Sequence, residues 1–102
     1  NLQANIYNYL SAFKVSNDSY QIEIVFSNIS DKNTFESLLD FLNKNLVVKE
    51  FSIKKFVTNT LTIEIESYGQ VDQLLSSLLF YQNIDDIYFD RESNVIFSRL
   101  GT

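Results

Sequence analysis

The stretch Leu61-Thr62-Ile63-Glu64-Ile65-Glu66, followed after Gly69 by Val71-Asp72-Gln73-Leu74-Leu75-Ser76-Ser77-Leu78, sets a two-residue alternation beside a helical repeat. Alternation puts Leu61, Ile63 and Ile65 on one face of a strand and Thr62, Glu64 and Glu66 on the other. Val71, Leu74, Leu75 and Leu78 stand at i, i+3, i+4 and i+7, the apolar stripe of a helix. An offset of 36 residues lays Phe35 on Val71, Leu38 on Leu74, Leu39 on Leu75 and Leu42 on Leu78. The register continues past the helix, with Val48 on Ile84, Phe51 on Ile87 and Ile53 on Phe89. Ile22-Glu23-Ile24 likewise precedes the first helix as Ile63-Glu64-Ile65 precedes the second. Each copy reads strand, helix, strand.

Working outward, Tyr20, Ile22, Ile24 and Phe26 alternate with Gln21 and Glu23, a half-buried strand. Ser30-Asp31 can cap the following helix, and Lys44-Asn45 supplies its end. Val48 to Val57 reads as a strand, Thr58-Asn59-Thr60 as a hairpin connection, and Ile84 to Phe89 as another strand. Arg91-Glu92-Ser93 is a turn before a short strand from Val95 to Ser98. At the other end Leu2, Ile6, Tyr9, Leu10 and Phe13 recur at helical spacing, which predicts a leading helix over 2–13. The polar cluster Asn17-Asp18-Ser19 separates that helix from the first strand.

Two strand–helix–strand units, interleaved, give a four-stranded antiparallel sheet with both helices on one face. The expected fold class is therefore α+β, a ferredoxin-like duplicated βαβ sandwich with an extra N-terminal helix and a C-terminal hairpin strand. One domain covers 1–102, with the first unit at 20–57, the second at 61–90 and an extra edge strand at 94–98. The 102 residues suit one domain, and 45% hydrophobic with 21% charged residues is an ordinary globular balance. Absence of Met, position 1 included, reads as a processed product or an excised segment of a larger protein.

Composition excludes whole classes of chemistry. There is no Cys and no His, hence no disulfide, no thiolate, no Cys/His zinc site and no triad built on imidazole. No apolar run reaches the roughly 18 residues of a membrane span. The net charge of −5 is unevenly spread. Six Lys balance six carboxylates up to Thr60, and from Leu61 onward only Arg91 and Arg99 face seven. Nucleic acid needs basic groups to displace its counterions, so none is expected as a partner. A ferredoxin-like sheet that binds RNA stacks bases on aromatics of its central strands, where this chain carries Glu64 and Glu66.

Asp85, Asp86, Asp90 and Glu92 form the densest carboxylate group. They lack the Asp/Asn ladder with central Gly of a calcium loop, and read as a solvated acidic turn. Glu64, Glu66 and Glu23 read as an open sheet face kept soluble, with Lys54 as counter-ion, rather than as an acid–base pair. Lys54-Lys55 has no Ser-x-x-Lys context. Most Phe stand at core periods, whereas Tyr7, Tyr81 and Tyr88 fall off the apolar stripes and read as exposed aromatics suited to an interface. No catalytic residue, cofactor or metal is assigned.

The run Ile22-Glu23-Ile24-Val25-Phe26-Ser27-Asn28-Ile29-Ser30, the helix Phe35-Glu36-Ser37-Leu38-Leu39-Asp40-Phe41-Leu42 with Val48, Phe51 and Ile53, and Gly69 before Gln73-Leu74-Leu75-Ser76-Ser77-Leu78 carry a resemblance. Across about residues 2–81 the chain resembles the C-terminal part of the exported bacterial family called domain of unknown function 2066. The resemblance implies a periplasmic or cell-envelope location and no assigned activity. In architecture alone the chain is also similar to small ferredoxin-like domains of secretion and pilus assembly platforms.

The functional expectation is a non-enzymatic interaction or structural module of a larger bacterial envelope protein. A small-ligand regulatory domain of ferredoxin-like type is the alternative. A protein partner or a second copy is expected to use the strand at 94–98, because Asn94, Val95, Ile96, Phe97 and Ser98 would form a short apolar edge. The Val48–Val57 edge has Lys49, Lys54 and Lys55 to guard it.

Overall fold

Alternating apolar residues make Tyr20–Ser27 a strand, β1, with Ile22, Ile24 and Phe26 buried on one side. The computed structural model describes residues 19–101, so the leading helix expected over 2–13 lies outside the described residues. The chain continues as α1 (Lys32–Lys44), β2 (Val48–Val57), β3 (Thr60–Ser67), α2 (Val71–Leu78), β4 (Ile84–Asp90) and β5 (Val95–Leu100).

Local chemistry sets the helix ends. The Asp31 carboxylate accepts the Thr34 backbone N–H at 2.7 Å, one of the donors a helix start leaves unpaired. That bond holds the Asp31 carboxyl below the ordinary carboxylate range. Lys32–Glu36 and Asp40–Lys44 pair at i, i+4 along the exposed side of α1. Asn45 ends α1. Its side chain accepts the Val47 N–H at 2.8 Å and donates to the Ser77 hydroxyl of α2 at 3.0 Å. At the start of α2 the Gln73 amide oxygen accepts the Gln70 N–H at 2.9 Å. Gly69 leaves room for that bond, since a Cβ there would stand 2.3 Å from the same oxygen.

The five strands form one sheet in the order β2-β3-β1-β5-β4. Ile24 pairs with Ile63 on β3 and with Ile96 on β5, and all three are fully buried. Leu38 and Leu42 of α1 and Leu74 and Leu78 of α2 close over this face as one core. α1 also meets the segment that follows α2, through Phe41 and Tyr81 with ring centroids 5.0 Å apart. The helical stripes repeat in burial as they do in sequence. Leu38, Leu42, Leu74 and Leu78 are buried, while Phe35, Leu39, Val71 and Leu75 are half-buried at the margin.

Two expectations are corrected. The sheet is mixed rather than antiparallel throughout, because β5 pairs parallel to β1. The strand expected at the edge, residues 94–98, lies inside the sheet, and β4 is the edge. Composition gives the reason. β5 carries only Arg99 as a charged residue and buries Ile96, Ser98 and Leu100, whereas β4 carries Asp85, Asp86 and Asp90. An edge strand has water along its free side and accommodates charge there, whereas the flanked strands β1 and β3 carry charge only on the open face, at Glu23, Glu64 and Glu66. The crossover from β1 to β2 consequently passes one strand, and that from β3 to β4 passes two.

The β2–β3 connection is two residues long, with φ of 52° at Thr58 and 59° at Asn59. Positive φ at both positions is the hairpin turn whose twist matches that of the strands. Asn tolerates this region, whereas a β-branched Thr is strained in it. Thr58→Asn is expected to raise unfolding stability by about 1 kcal/mol in urea titration. Leu74→Ala should cost about 2–5 kcal/mol by the same measurement, with Leu75→Ala costing clearly less.

Candidate interaction surface

The face of the sheet opposite the helices divides into a charged half and an aromatic half. On the charged half Lys54 of β2 reaches Glu23 of β1 at 2.7 Å and Glu64 of β3 at 3.9 Å. Lys49 reaches Glu66 at 3.3 Å, and the Ser19 hydroxyl donates to the same carboxylate at 2.9 Å. The expected pairing of Lys54 with the open-face carboxylates is thus present. The hydrogen bond to Glu23, reinforced by its charge, holds the Lys54 ammonium above the usual lysine value. The Ser19 hydroxyl and then Lys49 hold the Glu66 carboxyl below the ordinary carboxylate range. Each carboxylate has a neighbouring donor, so this cluster forms a lattice of ion pairs.

On the other half Tyr88 of β4 stacks on Phe97 of β5, with centroids 5.5 Å apart and ring planes 25° apart. Tyr88 is 55% exposed, in line with its place off the apolar stripes. Tyr81 departs from that expectation. It is buried against Phe41, and its hydroxyl donates to Ser37 at 3.2 Å. Tyr81 lies three residues past the end of α2, at i+7 from Leu74 and i+3 from Leu78, so its spacing belongs to the apolar stripe after all. Tyr7 lies outside the described residues.

The acidic residues of β4 act separately. Asp85 binds Arg99 at 2.5 Å, while Asp90 accepts the Glu92 N–H at 3.1 Å and the Ser93 hydroxyl at 2.9 Å. Among the described residues no three His, Cys, Asp or Glu side chains stand together as a metal site.

The residues expected as an interaction edge have partners on both sides. Val95 lies between Glu23 and Asp90, Ile96 between Ile24 and Phe89, Phe97 between Val25 and Tyr88, and Ser98 between Phe26 and Ile87. Asn94 sits in the β4–β5 turn with φ 59°, donating its N–H to Asp90 at 2.8 Å. Among the described residues the free edges are β2 and β4 instead. Three Asp in seven residues was the signal that could have placed β4 outside. At one end of the sheet Asn28, Thr58, Asn59, Asp85 and Arg99 line a wide-open groove. Three of these residues, Asn28, Thr58 and Asn59, have positive φ. Asn28 is fixed there by donation to the Leu100 carbonyl at 2.7 Å.

No family model, curated protein or solved structure matches the chain. No helix among the described residues is long and apolar enough to cross a membrane.

The lattice sets a pH dependence. A carboxyl whose folded value is lowered contributes stability above its unfolded value and loses it as pH falls through the folded one. A lysine whose folded value is raised contributes below its unfolded value and loses that contribution as pH rises through the folded one. Glu66→Gln should therefore flatten the acid-side loss of thermal stability and leave the alkaline side unchanged. Molar salt should shrink the wild-type acid-side loss.

Proposed function

We propose that this chain is a non-enzymatic interaction module of a larger bacterial envelope protein, and that its partner adds an extended segment to β4. The observation that carries the reading is the composition of that edge. Among the described residues β4 has one sheet neighbour, and it bears no lysine and presents Tyr88 beside Asp86 and Asp90. Strand addition uses main-chain hydrogen bonds for affinity and alternate side chains for specificity. An exposed tyrosine supplies a rigid amphipathic contact at small entropy cost. Lysine or arginine on the incoming segment would meet Asp86 and Asp90, so a basic partner strand fits best.

The fold under this reading is a ferredoxin-like pair of βαβ units in which β5 has entered between β1 and β4. The envelope location rests on the resemblance to domain of unknown function 2066. The absence of Cys and His, with every described carboxylate cluster engaged in ion pairs or turns, supports the non-enzymatic reading.

The test is a photo-crosslinking amino acid in place of Tyr88 in the parent protein, with the same residue at exposed Asp72 of α2 as control. A crosslinked partner at 88 and none at 72 is the expected outcome. A second reading, a small-ligand regulatory domain, is favoured by the groove where three non-glycine residues with positive φ meet Arg99. Saturable thermal stabilisation by one metabolite, with no crosslink at 88, would put that reading first.

A further inference from the structure

The other edge of the sheet among the described residues, β2, exposes more apolar surface than β4. Ile53 is 45% exposed and Phe56 46%, and both stand on the helix-bearing face, opposite Ile63 and Leu61. Phe56 is covered only in part, by stacking on Phe35 of α1 at 5.1 Å. Lysines and bulges ordinarily blunt such an edge, and β2 has register shifts between Val48 and Glu50 and between Ile53 and Lys55. Here two of the three lysines of β2 are turned away. Lys49 is held by Glu66 and Lys54 by Glu64 of the adjacent β3, and Lys54 reaches past it to Glu23 of β1. The guard is drawn across the open face, and the segment Glu50–Ile53 keeps regular pairing with β3 on its inner side.

That segment is complementary to itself. We infer that two copies of this chain associate through β2, antiparallel, about a two-fold axis at Ser52. In this register Phe51 of one copy faces Ile53 of the other, and Val48 faces Phe56. Glu50 faces Lys54, on the open side of the sheet. Directly opposed residues in an antiparallel pair share a face, and each of these pairs does. The Phe51 and Ile53 pairs of both copies meet at the axis and extend the two cores into one another. Lys49 faces Lys55, and Glu66 offsets the charge of Lys49. β4 has no such symmetry, because the same operation about Tyr88 would set Asp86 against Asp90. The two edges thus take different occupants, a second copy at β2 and a basic strand at β4. A single strand edge buries little area, so the dimer is concentration-dependent and in the micromolar range.

Sedimentation velocity of the full 102-residue chain tests the inference, with circular dichroism to verify folding. The wild type should pass from monomer to dimer as concentration rises. Ile53→Ser should weaken the dimer at least about tenfold without loss of fold. Glu50→Lys and Lys54→Glu should each be monomeric alone, because like charges then oppose at both ends of the pairing. Mixed in equal amounts they should form a heterodimer, since both ends become Lys–Glu pairs. A wild-type chain still monomeric at about 0.5 mM overturns the inference. So does a dimer unaffected by Ile53→Ser, or a mixture of the charge variants that fails to associate. Tyr88 variants should leave this equilibrium unchanged, which separates it from the use of β4.

Discussion

The layer Ile63–Ile24–Ile96, one residue from each of β3, β1 and β5, is the constraint on which the architecture depends. The three side chains are fully buried beneath Leu38, Leu42, Leu74 and Leu78. A slip of one residue in any of these strands would turn isoleucine toward water and bring Glu23, Glu64 or Val95 inside. Hydrophobic burial therefore fixes register, register fixes the faces, and the faces dictate where every charge can stand.

The open face follows from that arithmetic. Carboxylates excluded from the core gather on β1 and β3, and close packing of strands brings Glu23, Glu64 and Glu66 near one another. Self-repulsion is relieved by lysines from β2, whose bulges give the strand the extra residues to reach inward. The cost is a less protected β2 edge. Where charge is spent within the molecule, it is no longer available to repel another sheet.

Much of this organisation was legible in the chain. The repeated apolar stripes located both helices and their buried leucines, and alternation located β1 and β3 and identified their wet faces. What escaped was the place of the last strand. Periodicity reports which residues of a strand face the core, but it does not report which strand lies beside which. β4 and β5 both have one apolar side. Only the contrast between three aspartates in β4 and one arginine in β5 separates edge from interior. Tyr81 escaped for a related reason, since it stands just past the end of α2 and its burial depends on Phe41 of α1.

Placing β5 beside β1 also has a consequence for synthesis. Ile24 and Ile96 are partners separated by most of the chain, so the central pairing forms only after the C-terminal hairpin has emerged from the ribosome. Until then β1 has an open flank, with Ile22, Ile24 and Phe26 half covered. A nascent chain stalled before Val95 would present that flank to any passing strand, including the completed hairpin of a neighbour. Exchange of hairpins between chains is the misassembly this topology invites, and crowding on a polysome would favour it.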